Sequence, residues 1–170
     1  MSTDKNDSIL HELVEEAVMK VFDAYDAPLT ASIEAHPGHE VVSVIGYAAD
    51  EVRGGLALGI SKALAERTMP TADTPLYDWV GELANQILGR VRNKMLAYKV
   101  DLQIATPVVL HGLGVQVAPP GEGLAKDVVC YRSGDDILQV LLEARFEEGF
   151  EMPEQAEEDG VVDEGEMLLF

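Results

Sequence analysis

Apolar positions along the chain fall into two rhythms. Over residues 9–22, "ILHELVEEAVMKVF", they occur at 9, 10, 13, 14, 17, 18, 21 and 22, the spacing of an amphipathic helix. Asp7 or Ser8 is placed to cap it. "DAPLT" breaks the pattern, and a strand-like piece is expected around Ser32. Residues 41–49, "VVSVIGYAA", and 53–60, "RGGLALGI", are β-branched or alternating, and the "DEV" between them suits a hairpin. Gly54 and Gly55 weaken the second strand unless a bulge or a close backbone contact requires them. "SKALAERTM" reads as a short helix starting at Ser61 and stopped by Pro70.

A longer helix follows, with Thr74 as cap and Pro75 as first helical residue, running to about Tyr98. Its core stripe is Val80, Leu83, Ala84, Ile87, Leu88, Val91 and Met95. The segments "VDLQIATPVVL", "GVQVAP", "KDVVCYR" and "DILQVLLEARF" then read as four strands, with a loop at "APPGEG" and a tight turn at "SGDD". This order predicts an α+β fold, an antiparallel sheet with helices packed on one face. Nothing inside residues 1–146 reads as a linker, so one domain is expected there, followed by an acidic C-terminal tail over 147–170.

Charge sharpens the picture. The formal net charge is −19, a field that repels nucleic acid and anionic membrane surfaces. Between Glu147 and Glu166 there are ten acidic residues and no Lys or Arg. The last four residues, Met167 to Phe170, are apolar and read as a frayed end, with a docking peptide as the other reading. No apolar run approaches the roughly 20 residues that span a bilayer, and "MSTDKNDS" has no apolar signal-peptide region. Cys130 stands alone, so no intrachain disulfide is available. A cytoplasmic protein is expected.

The long helix contains "DWVGELANQILGR", in which Gly89 costs about 1 kcal/mol relative to alanine. Asp78, Glu82, Asn85 and Gly89 step by four, three and four, which makes one continuous stripe beside the core stripe. At Gly89 the surface is bare backbone, which a partner can approach closely.

Asp-x-x-x-Glu-x-x-Asn-x-x-x-Gly, followed by Pro107 in "IATPVVL", resembles the signature of the bacterial chemotaxis phosphatases of the CheC/CheX/FliY group. The element order resembles that group over roughly residues 8–145. Some of its members carry the motif twice. Here the N-terminal helix offers Ser8, Glu12, Glu15 and Met19 at the same spacing, without the asparagine or the glycine, so the chain is closest to single-site CheX.

The resemblance implies hydrolysis of the aspartyl phosphate on a CheY-like response regulator. Catalytic roles fall to Glu82 and Asn85, and partner contacts to Asp78 and Gly89. A carboxamide both donates and accepts, so Asn85 can orient the attacking water without gaining or losing a proton, and phosphoryl transfer is catalysed largely by positioning and electrostatics. Glu82 pairs with a lysine of the regulator. No metal or cofactor is expected in this chain, since the divalent ion comes with the regulator. A homodimer is implied by the resemblance alone. The alternative is a non-catalytic module that binds a regulator or another signalling protein; a weaker third reading is a motor-switch adaptor.

Other candidates point to structure. His36-Pro-Gly-His39 reads as a solvent loop rather than a metal site. "HGLGVQV" lacks the strand-to-helix context of a dinucleotide site. Cys130 reads as a buried small hydrophobe, Asp135-Asp136 as turn chemistry, and Tyr77 and Trp79 as packing residues, with the rim of a partner interface as their other reading.

Overall fold

The computed structural model describes residues 2–33, 38–117 and 128–153. In chain order the elements are α1 (Ser2–Ala24), β1 (Thr30–Ser32), β2 (His39–Ala48), β3 (Val52–Ile60), α2 (Lys62–Thr68), α3 (Leu76–Leu96), β4 (Gln103–Ile104), β5 (Val108–Val115), β6 (Val128–Ser133) and β7 (Asp136–Phe146). Among the described residues the strands form one seven-stranded antiparallel sheet in the order β1-β6-β7-β3-β2-β4, with β5 also paired to β2. The α+β expectation holds.

Alternation decides which face each strand buries. Ile45, Leu56 and Leu142 lie in register across β2, β3 and β7 and join one core with α1 and α3. The whole predicted stripe of α3, from Val80 to Met95, lies in that core. On the opposite sheet face Val44 stands beside Val108, and both are exposed, as is Leu110. Among the described residues no helix is long and apolar enough to cross a membrane.

Gly54 has the close contact its sequence context demanded. A Cβ there would stand 1.9 Å from the Glu143 carbonyl oxygen and 2.6 Å from the Tyr47 hydroxyl. The bare backbone lets the Tyr47 hydroxyl cross over and donate to the Glu143 carbonyl at 2.6 Å.

Several boundaries differ from the sequence reading. Helix α1 starts at Ser2, ahead of the expected caps Asp7 and Ser8. Fully buried Asn6 explains it: its Nδ2 donates to the Phe150 carbonyl at 2.8 Å, and its Oδ1 accepts from the Met152 backbone N–H at 2.8 Å. The same bonds carry residues 147–152 onto the body, six residues beyond the expected start of the tail; residues 154–170 lie outside the described residues. Helix α3 is capped by Pro75 without a side-chain bond, because the Thr74 hydroxyl pairs with that of Thr71 at 2.9 Å. The segment "VDLQIATPVVL", read as one strand, holds β4 and the start of β5, and β5 runs on past Gly112 into the next predicted strand, with Gly114 at φ +66. The "APPGEG" loop lies outside the described residues. Ser61 does cap α2, accepting from the Leu64 N–H at 3.1 Å.

Candidate functional site

Helix α3 carries the stripe because its opposite face is committed to the core. It touches β2, β3, β4 and β5 as well as both other helices. Asp78 is exposed in its first turn, Glu82 is exposed one turn on, and Asn85 is half-buried beyond it. Gly89 closes the stripe, and a Cβ built on it meets nothing within 4 Å. The four positions therefore share one open face.

One flank of this face is the corner leading into β5. Gly81 lies against Pro107, whose Cγ would stand 3.4 Å from a Cβ at position 81. The proline expected from the motif thus borders the stripe, between Asp78 and Asn85 along the helix. Nearby, Tyr77 stacks on His111 with ring centroids 4.3 Å apart. Tyr77 is 42 % exposed, so the packing role expected of it does not bury it. Trp79 is buried as expected, and its Nε1 donates to the Thr68 hydroxyl at 3.0 Å.

The other flank is the end of α1. Gln86 Nε2 donates to Glu82 Oε1 at 3.2 Å, and the Tyr25 hydroxyl donates to Gln86 Oε1 at 3.0 Å. Neither Tyr25 nor Gln86 was singled out by sequence. Gln86 sits inside the motif helix, four residues past Glu82, which is a readable signal; Tyr25 is 61 residues away and gave none. Among the described residues the carboxamide of Asn85 makes no hydrogen bond, nor does the carboxylate of Asp78.

Helices α1 and α3 are tied further along by Glu16, which pairs with Lys94 of α3 and Lys20 of its own helix. These bonds hold its carboxyl below the usual carboxylate range, Lys94 first and Lys20 second. The would-be second motif on α1 leaves Ser8, Glu12 and Glu15 exposed and turns Met19 toward the core.

The remaining candidates resolve structurally. His39 is in strand β2 rather than a solvent loop: it is 1 % exposed and its Nε2 lies 2.8 Å from Gln139 Oε1. His36 lies outside the described residues. Among the described residues no group of three His, Cys, Asp or Glu is placed to hold a metal ion. Cys130 is half-buried in β6, and burial pushes its thiol up. Asp136 does more than turn: it accepts from the Ser61 hydroxyl at 2.9 Å and from Arg67 at 2.8 Å, tying α2 to the β6–β7 hairpin.

A family model described as chemotaxis phosphatase CheX matches residues 41–131, just over half of the chain. The chain belongs to the CheX family. The matched span contains β2 from residue 41, β3, all of α3 and Pro107, and leaves α1 outside. Solved structures share the fold. A CheC-like chemotaxis protein from Shewanella oneidensis superposes with a TM-score of 0.66 at 18 % identity, covering 79 % of this chain and 96 % of that one. CheX from Desulfovibrio desulfuricans gives 0.65 at 16 % identity, covering 80 % and 99 %. The CheX of a CheX–CheY–BeF3–Mg2+ complex from Borrelia burgdorferi gives 0.58 at 17 % identity, covering 79 % and 96 %. No curated protein sequence matches this CheX-family chain.

Proposed function

We propose that this chain hydrolyses the aspartyl phosphate of a CheY-like response regulator, with Asn85 positioning the attacking water and Glu82 docking the regulator. The observation that carries the reading is the state of Asn85. The residue is half-buried on an open helix face, yet its carboxamide makes no hydrogen bond to the described residues. Structural asparagines use those groups; this one keeps a donor and an acceptor free for a water. An in-line water held at the phosphorus supplies most of what phosphoryl transfer asks of a second protein.

Glu82 lies one turn away and keeps one carboxylate oxygen unbonded among the described residues. It meets a lysine of the regulator in a charge-assisted bond. The divalent ion beside the phosphoaspartate belongs to the regulator, as does the nucleophile that was phosphorylated. Gly89 and Asp78 bracket the contact, the glycine allowing close backbone approach. The family description and the Borrelia CheX–CheY complex support a CheY-like partner.

The homodimer is proposed on the same footing. Its support is the exposed apolar patch of Val44, Val108 and Leu110, on the sheet face turned away from α3. A second copy seated there leaves the stripe open.

The test is decay of a radiolabelled phosphorylated CheY-like regulator, alone, with this protein, and with Asn85→Ala. Acceleration by the wild type and its loss by about 100-fold in the variant is the expected result. Unchanged decay with a regulator that binds would instead make the stripe a docking surface of a non-catalytic module.

A further inference from the structure

We infer that Tyr25 and Gln86 are positioning residues that hold the Glu82 carboxylate in place before the regulator arrives, so that the end of α1 tunes a site carried on α3. The inference rests on the docking role of Glu82 proposed above.

A glutamate on an exposed helix face samples many rotamers, and docking must freeze them. A bond to a residue four positions on is common and by itself restrains little. Here the restraint is directional. The Glu82 carboxylate only accepts, so it takes the NH2 end of the Gln86 amide, whose Nε2 donates to Glu82 Oε1 at 3.2 Å. The opposite end, Oε1, is left facing the end of α1, where the Tyr25 hydroxyl donates to it at 3.0 Å and holds the amide in that pose. With the amide the other way round, a carbonyl oxygen would face the carboxylate and the pair would repel.

Tyr25 is itself held. Its ring meets the Trp79 ring edge-on, with centroids 5.0 Å apart. Trp79 is 4 % exposed and its Nε1 donates to the buried Thr68 hydroxyl, which donates to the Ala65 carbonyl at 2.9 Å. Tyr25 also stands where α1 ends in a tight turn, with its N–H donating to the Phe22 carbonyl at 3.1 Å and Asp26 at φ +55. Three helices thus converge on one carboxylate oxygen of Glu82, and the other oxygen is left for the partner.

The experiment pairs Tyr25→Phe and Gln86→Leu with Glu82→Gln in a double-mutant cycle, read as steady-state dephosphorylation of the phosphorylated regulator. Each single variant is expected to raise KM about three- to tenfold, the cost of ordering one long side chain on docking, with kcat changed by less than about twofold. Neither should slow the reaction further once Glu82 is replaced. Equal losses in the Glu82→Gln background would show action through the fold and overturn the inference. No effect of Glu82→Gln itself would overturn the docking role and the inference together. A second readout needs no activity: 15N relaxation of the Gln86 side-chain amide in the free protein. The amide should be rigid in the wild type and mobile in Tyr25→Phe. Equal mobility in both means that the relay does not form, whatever the protein hydrolyses.

Discussion

The backbone N–H of Met152 donates to Asn6 Oδ1 at 2.8 Å across 146 residues of sequence. Asn6 Nδ2 returns to the Phe150 carbonyl, and the Asn6 side chain is fully buried between them. Asn6→Ala leaves the buried Met152 N–H and the part-buried Phe150 carbonyl without partners. The expected cost is roughly 2–4 kcal/mol, read as a lower urea midpoint with an unchanged slope. A change below about 0.5 kcal/mol would mean that water replaces the amide without loss.

Gly89 separates stability from function. A Cβ there meets nothing, and the residue is in the middle of a helix. Gly89→Ala should therefore stabilise the free protein by up to about 1 kcal/mol. Gly89→Tyr should fold equally well but weaken regulator binding by tenfold or more. Calorimetric melting and titration with the regulator check the two halves; full binding by the tyrosine variant would remove the partner from this end of the stripe.

Asn85 and Glu82 are expected to fail differently. Asn85→Ala removes a group used on the reacting water, so kcat should fall while regulator affinity stays within about threefold. Glu82→Gln should raise KM more than it lowers kcat. Steady-state kinetics on the two variants decides; the reverse pattern would exchange the roles.

Stability should change at both ends of the pH scale. Burial, with the Glu15 carboxylate adding, pushes Tyr131 up to about 12, and burial pushes Tyr47 up as well. Both phenols keep their protons better folded than unfolded, where the value is about 10. The stabilisation is therefore complete below about pH 10 and lost as pH rises toward 12. Tyr131→Phe should flatten that decline in urea midpoints. Glu16 runs the other way: its lowered carboxyl helps folding above the unfolded value and stops helping as pH falls through its own. That side chain is 44 % exposed, so the acid effect should be at most about 1 kcal/mol.

Leu110→Glu places a charge on the exposed sheet face beside Val42. If a second copy packs there, sedimentation equilibrium should shift from dimer to monomer while the melting temperature at low concentration stays within a few degrees. A wild-type protein that is monomeric at high micromolar concentration would remove the homodimer reading.

Most of the elements were legible because they obey one local rule each. The stripe of Val80, Leu83, Ala84, Ile87, Leu88, Val91 and Met95 repeats helically, and all seven are buried. The β2–β3 hairpin alternates and pairs, and Ser61 caps the helix it precedes. What was missed depends on partners distant in sequence. Asn6 reads as a polar leader residue until Phe150 and Met152 close on it. His39 reads as loop until Gln139, 100 residues on, meets it in the sheet. Gly112 falls between two segments that read as separate strands, and Gly114, read as a strand start, sits where a Cβ on Gly38 would come within 2.6 Å of its backbone, a paired close approach that no local pattern reveals. At the candidate site the stripe and Pro107 were visible as spacing. Tyr25 was not, since only folding brings α1 beside α3.

Strand β3 lies beside β7, with Ile60 opposite Leu138, and α2, α3, β4, β5 and β6 all fall between those two residues in sequence. The motif helix is thus inside the loop that this pairing must close. Loop closure of that length is entropically unfavourable until the contacts it enables repay it. A chain that has made only its local hairpins has the four stripe residues but neither Tyr25 nor Pro107 beside them. The site should consequently appear in one step with the fold during refolding, and a destabilised variant should lose active molecules rather than gain slow ones.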